Sequence, residues 1–587
     1  MLRGTNIVAS AVMYSIVAVM HIVPLVRSFW ATYCHRSTRV VVDGPHLQNK
    51  TNHSFSIKRL LAWLVPARFK LPSNVKTGLS HLVELGAESW MAYQMAAHLV
   101  HTNVAFMYSM ILTANCVFTT WVLFVKGSGL KKTLVDLMDS SISFTLSAGI
   151  PLVLVVTPLL VYLTQGYSAH NFTWRAEMLT STRFFIASTP WQLAMNVAPS
   201  VANYITLQGI LKRLNKRWRR ASVKTMISVV VTHGSFRVLQ QRNVRSTVKA
   251  MVVLGKDSFT TQHANFKWLK GMLVLCIVWG VTVATVAIAS QLTRRPCPTG
   301  CVAQSAPWFT QSCNCIYFRL NCNSPRDLPV QNPLDGVHVT ELGANLMLLH
   351  LIRCPVEEGV PNLAPFEFLQ GILVEFSSMR SWEGVLPPSL STVQVRYSDL
   401  THVPAALRSP GPNLIELGLV GAPLGDISPT VVDSWGSVMS LALTATNLSS
   451  IPPGLLRLQV LQTVALDSNR IAVVPDDEVA AVPQLVSLVL DSNRISTFPT
   501  KLMTANPQLH LSLSNNPIRA VPSDLTSQST MSMDLAGSPY CLENPRDSSH
   551  CPSTCDTACT RSQSSNQVCD LPCNTSSCLY DMGDCLL

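Results

Sequence analysis

The chain has 587 residues, of which 44 are Lys or Arg and 32 are Asp or Glu, giving a net charge of +12 at pH 7. A chain of this length is expected to form two or more domains. The charge is divided unevenly, since residues 1–292 carry 29 basic and 7 acidic side chains, whereas residues 293–587 carry 15 and 25. Because the basic half is also apolar, this division favours a membrane domain with basic cytoplasmic loops and argues against nucleic-acid binding.

Uncharged apolar runs in the first half predict membrane-spanning helices. The clearest is residues 271–292, which would form a helix of about 33 Å. Similar runs predict spans at about 7–26, 104–125 and 143–163. Residues 184–211 are a possible fifth span that could instead lie in the interface or re-enter. Residues 7–26 could alternatively be a cleaved signal peptide.

Basic residues predict the orientation of these spans, because cytoplasmic loops are enriched in Lys and Arg. Residues 212–270 hold 14 basic side chains and one acid, so we expect them in the cytoplasm and the second half outside, on a multi-pass plasma-membrane protein. Four spans would also place residues 28–103 in the cytoplasm, and both segments would be candidates for cytoplasmic partners. The basic cluster at 212–220 could bind membrane lipid or only set the topology. A sequon at Asn171 argues against four spans, because it is useful only outside.

The cysteines are divided as well, with three before residue 293 and fourteen after it. Dense cysteines are typical of an oxidising compartment, which supports an extracellular second half. Five lie in residues 293–340 and predict a disulfide-closed N-terminal cap on the segment that follows. Their pairing stays open: one could join Cys354, and zinc is an alternative interpretation of Cys313 and Cys315.

Residues 341–540 repeat one apolar template nine times, at intervals of 21 to 24 residues. Leu461–Ile471 and Leu485–Ile495 match L-x-x-L-x-L-x-x-N-x-L fully. This is the leucine-rich-repeat signature, in which L-x-L forms a short strand with its leucines inward and the Asn bonds to backbone inside the coil. Cys354, a known variant, takes the place of this Asn in the first unit, and the weaker residues Ser377, Ser398, Ala422 and Thr446 take it in the next four.

Eight cysteines close the chain. Cys541 and Cys551 predict a disulfide-closed C-terminal cap at 541–554. The other six, in residues 555–587, have the spacing C-x3-C-x9-C-x3-C-x4-C-x6-C, which resembles the Lin/Notch repeat. The resemblance implies three disulfides, which are Cys555–Cys578, Cys559–Cys573 and Cys569–Cys585.

The same resemblance implies a calcium site. Its carboxylate ligands would be Asp570, Asp581 and Asp584, with Asn566 as a weaker candidate. Met582 departs from the family, which usually has Gly there, and a positive φ would strain it. A disulfide knot that binds no metal is the alternative.

The expected fold class is therefore a multi-pass α-helical membrane domain, an extracellular α/β leucine-rich-repeat solenoid and a small disulfide-rich module. This combination resembles predicted surface proteins of oomycetes. No catalytic motif is recognisable, so we predict that the chain is not an enzyme.

The outward strand residues of such a solenoid form a concave sheet, which is the usual ligand face. Aromatic and Arg side chains dominate binding energy at interfaces, and the early units are rich in them. The predicted ligand patch is His350, Arg353, Glu375, Phe376, Arg396 and Tyr397.

We expect a receptor-like recognition or adhesion protein that binds a protein or glycan ligand and carries a glycan at Asn447. A transporter or channel with an accessory ectodomain is the first alternative, although the four clear spans hold no charged residue. A structural protein that anchors wall or matrix is the second.

Overall fold

A computed structural model describes residues 73–122, 138, 141–165, 172–185, 189–201, 204, 266–323, 334, 336–361, 363–475, 484–526, 532–564, 569–582 and 584–585. The predicted span 7–26, the basic cluster 212–220, Asn171 and Asn566 lie outside these residues.

The described part of the first half is helical. Its helices are α1 (Ser73–His98), α2 (Thr102–Val122), α3 (Ile150–Gln165), α4 (Phe172–Phe185) and α5 (Phe266–Leu292). A π-helical turn, Thr145–Gly149, leads into α3, and residues 190–201 are also helical.

Two helical stretches, Ser141–Val161 and Lys270–Leu292, are long and apolar enough to cross a membrane, and Thr102–Phe118 is a shorter apolar helix. These three helical stretches contain most of the predicted spans 143–163, 271–292 and 104–125, respectively. Both long stretches expose large apolar side chains, among them Leu152, Val153, Leu160, Val274, Val278 and Val281. Such surfaces are typical of contact with lipid or with another protein.

Helices α2 and α5 pack closely around Gly280. A Cβ added there would lie 2.9 Å from Cys116 Cβ and 3.3 Å from the Thr113 carbonyl oxygen, so only glycine permits this approach. The Thr113 hydroxyl also donates a hydrogen bond to the Gly280 carbonyl at 3.2 Å.

The first half contacts the second half directly. At the end of α1, the Ala97 carbonyl accepts a hydrogen bond from Ser305 Oγ at 2.8 Å, and the Ala96 carbonyl accepts one from Ala306 N at 3.0 Å. Arg175 of α4 forms a 3.2 Å ion pair with Glu416. The four-span arrangement places residues 28–103 and 164–270 on the side opposite the repeats, and it stays a prediction that these contacts do not support.

The second half is built on one eleven-stranded sheet with strands in sequence order. Strands β1 and β2 pair antiparallel, and every later neighbour is parallel. The strands are β1 (Cys301–Gln304), β2 (Cys315–Asn321), β3 (Leu348–Ile352), β4 (Gly371–Glu375), β5 (Thr392–Arg396), β6 (Glu416–Val420), β7 (Ser440–Ala442), β8 (Thr463–Ala465), β9 (Ser487–Val489), β10 (His510–Ser512) and β11 (Ser532–Asp534).

Short helices lie between the strands or after the last strand. They are α6 (Val339–Leu342), α7 (Ala405–Arg408), α8 (Pro429–Asp433), α9 (Thr500–Ala505), α10 (Ser523–Thr526), α11 (Pro539–Glu543) and α12 (Leu579–Met582), with 3-10 turns at Leu455–Arg457 and Leu571–Cys573. Trp382 and Trp435 are buried among the repeats, and their ring N–H groups donate to the carbonyls of Val360 and Leu407.

The repeating leucines form one continuous core, because the inward residues of each strand stack on those of the next. Inside this core the late Asn residues bond to backbone. The Asn493 side chain donates to the carbonyls of Leu466, Leu490 and Asp491 and accepts from Ile471 N at 3.0 Å. Asn469 and Asn516 make equivalent bonds.

We call the position of this Asn in each repeat the ladder position, and the row of their hydrogen bonds the ladder. The earlier repeats have other residues at the ladder position. The Cys354 sulfur is bonded to Cys322, and the buried hydroxyls of Ser377 and Ser398 have no hydrogen-bond partner among the described residues. The early coils therefore lack the polar ladder that ties the late coils together.

Disulfides close the first end of the solenoid. Cys297 pairs with Cys313, and Cys301 pairs with Cys315, which joins β1 to β2. Because these sulfurs are bonded to one another, they are not zinc ligands in this structure. At the other end, Cys541 pairs with Cys551.

Candidate binding surface

One backbone feature recurs in every repeat. The residue directly before each ladder position has a positive φ, between 52° and 71°. This left-handed residue turns the chain from the outward sheet into the core, and its side chain lies along the edge of the sheet. The nine positions are Arg353, Phe376, Tyr397, Gly421, Ala445, Ser468, Ser492, Asn515 and Gly537.

The first four of these residues form a stack. The Arg353 guanidinium lies 5.6 Å from the centre of the Phe376 ring. The Phe376 and Tyr397 rings are parallel within 10°, with centres 4.8 Å apart. A Cβ on Gly421 would lie 2.5 Å from the Tyr397 ring. Because glycine has no side chain, the ring can occupy this space.

The other three residues of the predicted patch form a buried polar network, which we call the early network. His350 Nε2 lies 2.9 Å from Glu375 Oε2, and His350 Nδ1 lies 3.1 Å from the Tyr317 hydroxyl. Arg396 lies 3.9 Å from the other oxygen of Glu375. Burial raises the pKa of Glu375, but His350, Arg396 and Arg319 outweigh it, and the net pKa is lowered.

Helix α4 covers this part of the sheet. Its buried Ala176 packs against a cluster that includes Tyr317, Leu348 and Leu373. Arg175 extends from the same helix to Thr392 Oγ1 at 2.6 Å and to Glu416. The predicted patch is thus brought together, but His350 and Arg396 are buried, whereas Arg353 is exposed.

The late repeats present a different surface. The first outward residue of each of the strands β7 to β11 is small or polar, and each is exposed or half-buried. We call this row the open strip, and it consists of Ser440, Thr463, Ser487, His510 and Ser532.

The last six cysteines form three disulfides in what we call the C-terminal module, residues 555–585. The bonds are Cys555–Cys578, Cys559–Cys573 and Cys569–Cys585. Of the implied calcium ligands, Asp570 and Asp581 are buried, and Asp581 Oδ2 accepts a hydrogen bond from Asp570 N at 2.8 Å.

Carboxylate oxygens suit calcium chemically. Within the described residues, however, the clusters of three possible ligand atoms consist of disulfide-bonded cysteines and do not include Asp570, Asp581 or Asp584. Met582 has a φ of 52°, in a left-handed run that begins at Leu579. A methionine in this conformation costs about 1–2 kcal/mol.

The C-terminal module is seated along the edge of the repeats. Its N–H, hydroxyl and carbonyl groups bond to outward side chains of four units. The contacts are Leu571 N to Tyr397 Oη at 3.2 Å, Gln563 Nε2 to Asp467 Oδ2 at 2.9 Å, Ser562 Oγ to Asp491 Oδ2 at 2.7 Å, and Asn515 Nδ2 to Thr557 O at 2.8 Å.

The candidate glycosylation residue Asn447 is exposed and has a φ of 66°. It follows the ladder residue Thr446, outside the concave sheet. An attached glycan at this position would leave the open strip accessible.

Three features were not expected from the sequence. They are the cover formed by α4, the seat of the C-terminal module, and a buried polar cluster in which the Ser143 hydroxyl bonds to both Glu84 and Glu88. The sequence does contain a signal for the buried polar cluster, because Glu84 and Glu88 are four residues apart and therefore share one face of a helix. Helix α1 is too polar to resemble a membrane span.

Comparison with known proteins identifies two parts of the chain. Residues 459–518 match the family model for the leucine rich repeat, and residues 539–586 match the model for the LNR domain. LNR domains typically bind calcium. The chain thus contains a leucine-rich-repeat region and a Notch-type LNR domain.

Among solved structures, the chain is similar to an internalin (inlF) from Listeria monocytogenes, at 17% identity and a TM-score of 0.27. The match covers 33% of this chain and 56% of the internalin chain, so the chain spans little more than half of that structure. No curated protein matches the chain.

Proposed function

We propose that this chain is a membrane-held recognition protein that binds a protein or glycan ligand on the open strip of its late repeats. Leucine-rich-repeat and LNR domains support a role in protein binding. The observation that carries the location is the division of the sheet: α4 covers the early strands, whereas the first outward residues of β7 to β11 are accessible. Arg353 and the half-buried ring of Phe376 would form a second contact beside the strip.

A steric substitution tests this surface. The purified full chain would be screened against a glycan array and a library of extracellular proteins. Ser487→Trp would fill the middle of the strip and abolish the hits, while Val473→Trp, at an exposed residue outside the strip, would retain them. Hits that survive Ser487→Trp but disappear with Phe376→Ala would exclude the strip and place the ligand on the stack.

We also propose that the first half is a multi-pass membrane anchor and that the second half is extracellular. The two long apolar helices and the disulfides support this. The contacts of α4 with the repeats support an outside position for α4, whereas the basic charge of residues 212–270 favours the cytoplasm. The chain would then cross the membrane between them, and the proposed arrangement therefore includes residues 184–211 as a fifth span.

Glycosylation mapping separates the two arrangements. With the fifth span, Asn171 and Asn447 are both outside, and glycosidase treatment of protein from eukaryotic membranes removes a glycan from each. A glycan on Asn447 alone would restore the four-span arrangement.

One observation favours a transporter as a second candidate function. Glu84 and Glu88 of α1 are buried, and the Ser143 hydroxyl, which lies in the long apolar stretch Ser141–Val161, bonds to both. Buried ionisable groups packed against apolar helices often mark proton or ion pathways. Proton or cation uptake into vesicles that is lost with Glu88→Gln would support transport, and identical fluxes in the variant and the wild type would remove it.

A further inference from the structure

The contact between the C-terminal module and the repeats is long and polar. It extends from Tyr397 to Asn515, across five strand spacings, which amount to about 24 Å. Its bonds come from separate parts of the module, since Thr557, Ser562 and Gln563 lie in its first third and Leu571 follows later. The module therefore lies along the solenoid and borders the open strip.

Two carboxylates at the centre of this contact are buried. Asp467 is 4% exposed and Asp491 is 0% exposed. Their neighbours are hydroxyl and amide groups: Asp467 accepts from Thr444 and Gln563. Asp491 accepts from Ser512 Oγ, Ser514 N and Ser562 Oγ.

The charged groups that face these carboxylates are also acidic. The negative charge of Asp491 raises the pKa of Asp467, and the negative charge of Asp534 raises the pKa of Asp491. Arg561, the nearest basic residue in the module sequence, is exposed. Burying two carboxylates among neutral donors disfavours their charged forms.

The module is tethered closely. Residues 552–554 are all that separate the cap disulfide at Cys551 from Cys555. A module released from the repeats would therefore remain at high local concentration beside its seat, so that small changes in contact energy shift the balance between seated and released forms.

We propose that the C-terminal module is a pH-sensitive lid on the edge of the ligand face, seated more firmly when Asp467 and Asp491 are protonated and released more often when both are charged. The lid narrows the open strip when seated. The narrowing of the open strip rests on the proposed function. The pH dependence of seating does not, because seating can be measured without a ligand.

The direction follows from linkage. Burial, with help from the charge of Asp491, raises the pKa of Asp467 from 3.8 to about 6, against the opposing hydrogen bonds from Thr444 and Gln563. The pKa of Asp491 is raised by burial and by Asp534. A raised pKa in the seated form means that the contribution is complete below the pKa of the released form and is lost as the pH rises through about 6. If release returns the pKa of Asp467 to its ordinary value of 3.8, the seating equilibrium weakens about tenfold between pH 5 and pH 7.5.

The test is hydrogen exchange of residues 557–564 in the full chain, at pH 5 and pH 7.5, corrected for intrinsic exchange rates. The wild type should show about tenfold greater protection at pH 5. Asp467→Asn keeps the shape and removes the charge, so its protection should be high at both pH values, and its pH dependence, which then comes from Asp491, should be weaker than that of the wild type. Asp433→Asn, at an exposed residue at the end of α8, is the matched control and should retain the wild-type pH dependence.

A charge swap gives a second, independent comparison. Gln563→Glu places a carboxylate against Asp467 and should reduce protection at pH 7.5. The double variant Asp467→Asn with Gln563→Glu restores one amide and one carboxylate, and it should recover that protection. Peptide mapping without reduction checks that the three disulfides remain.

The proposal is overturned if Asp467→Asn shows the same pH dependence as the wild type. It is also overturned if the double variant exchanges as fast as Gln563→Glu with its disulfides intact. The Asp467→Asn comparison decides even if Gln563→Glu disturbs the disulfides, because an Asp-to-Asn change leaves the module sequence untouched.

Discussion

The early and late repeats share one sheet but are stabilised in different ways. The early strands β3 to β5 have five residues each, carry a buried charged network on their outward face and lie beneath α4. The late strands β8 to β10 have three residues each and are tied from the inside by Asn side chains. The early repeats make their polar bonds on the outward face, whereas the late repeats also make them in the interior, and the first outward residues of the late strands remain accessible.

Substitutions at the ladder position should give the largest difference in the free energy of unfolding between late and early repeats. Asn493→Ala would leave buried backbone groups of Leu466, Leu490 and Ile471 without a side-chain partner and should cost about 3–5 kcal/mol in the free energy of unfolding. Ser398→Ala, at the same position of an early repeat, should change it by less than about 0.5 kcal/mol. Denaturant unfolding followed by circular dichroism measures both, and equal losses would remove the distinction.

The early network should respond to loss of charge. Glu375→Gln leaves Arg396 buried without its carboxylate partner and should destabilise the early repeats by about 2–3 kcal/mol. Hydrogen exchange in α4, residues 172–185, should rise at the same time, since α4 lies on this network. An exchange rate in α4 that does not change would mean that the helix does not depend on the network. Glu357→Gln is a matched control, because Glu357 is exposed.

The two regions should respond to acid in opposite directions. The lowered pKa of Glu375 stabilises the early repeats above its ordinary value of 4.5, and that contribution is lost as the pH falls below it. The raised pKa of Asp467 has the opposite effect on the module, whose seating strengthens as the pH falls through about 6. Exchange measured from pH 7.5 to pH 4 should show protection of residues 557–564 rising first and protection of 172–185 falling later. A parallel change in both segments would contradict this account.

The smallest expected effect concerns the tyrosine that both regions share. Tyr397→Phe keeps the stack on Phe376 and removes only the acceptor for Leu571 N, so it should weaken module seating by about 1 kcal/mol. Exchange at the Leu571 amide should rise about fivefold while the unfolding midpoint of the repeats stays unchanged. A shift of that midpoint would show that the hydroxyl also supports the solenoid.

The sequence predicted the repeats because their spacing is a direct consequence of strand geometry. Each inward leucine must recur once per coil, and the buried positions follow the template as far as Leu535. The weak ladder at Ser377 and Ser398 was also visible in the sequence. The stack was anticipated only as a group of aromatic residues, since its geometry depends on a left-handed position that Arg353, Phe376 and Tyr397 occupy without being glycine.

The covers were not predictable in the same way. The contact of Arg175 with Glu416 joins residues 241 positions apart, and that of Gln563 with Asp467 joins residues 96 apart. No local pattern encodes such pairs, because hydroxyl, amide and charged side chains are common on any surface. The ligand patch was therefore placed by composition alone, which identifies side chains suited to binding but does not reveal whether another segment already binds them.

Two histidines test the central difference directly, because each lies on an outward face, with His350 on β3 and His510 on β10. The intact chain would be treated briefly with diethyl pyrocarbonate, and modification of each histidine would be followed by mass spectrometry. We expect His510, which is exposed, to react rapidly, and His350, buried in the early network beneath α4, to be protected until the chain is denatured. Equal rates at the two histidines would mean that the early face is as open as the late one, and the proposed placement of the ligand would be wrong.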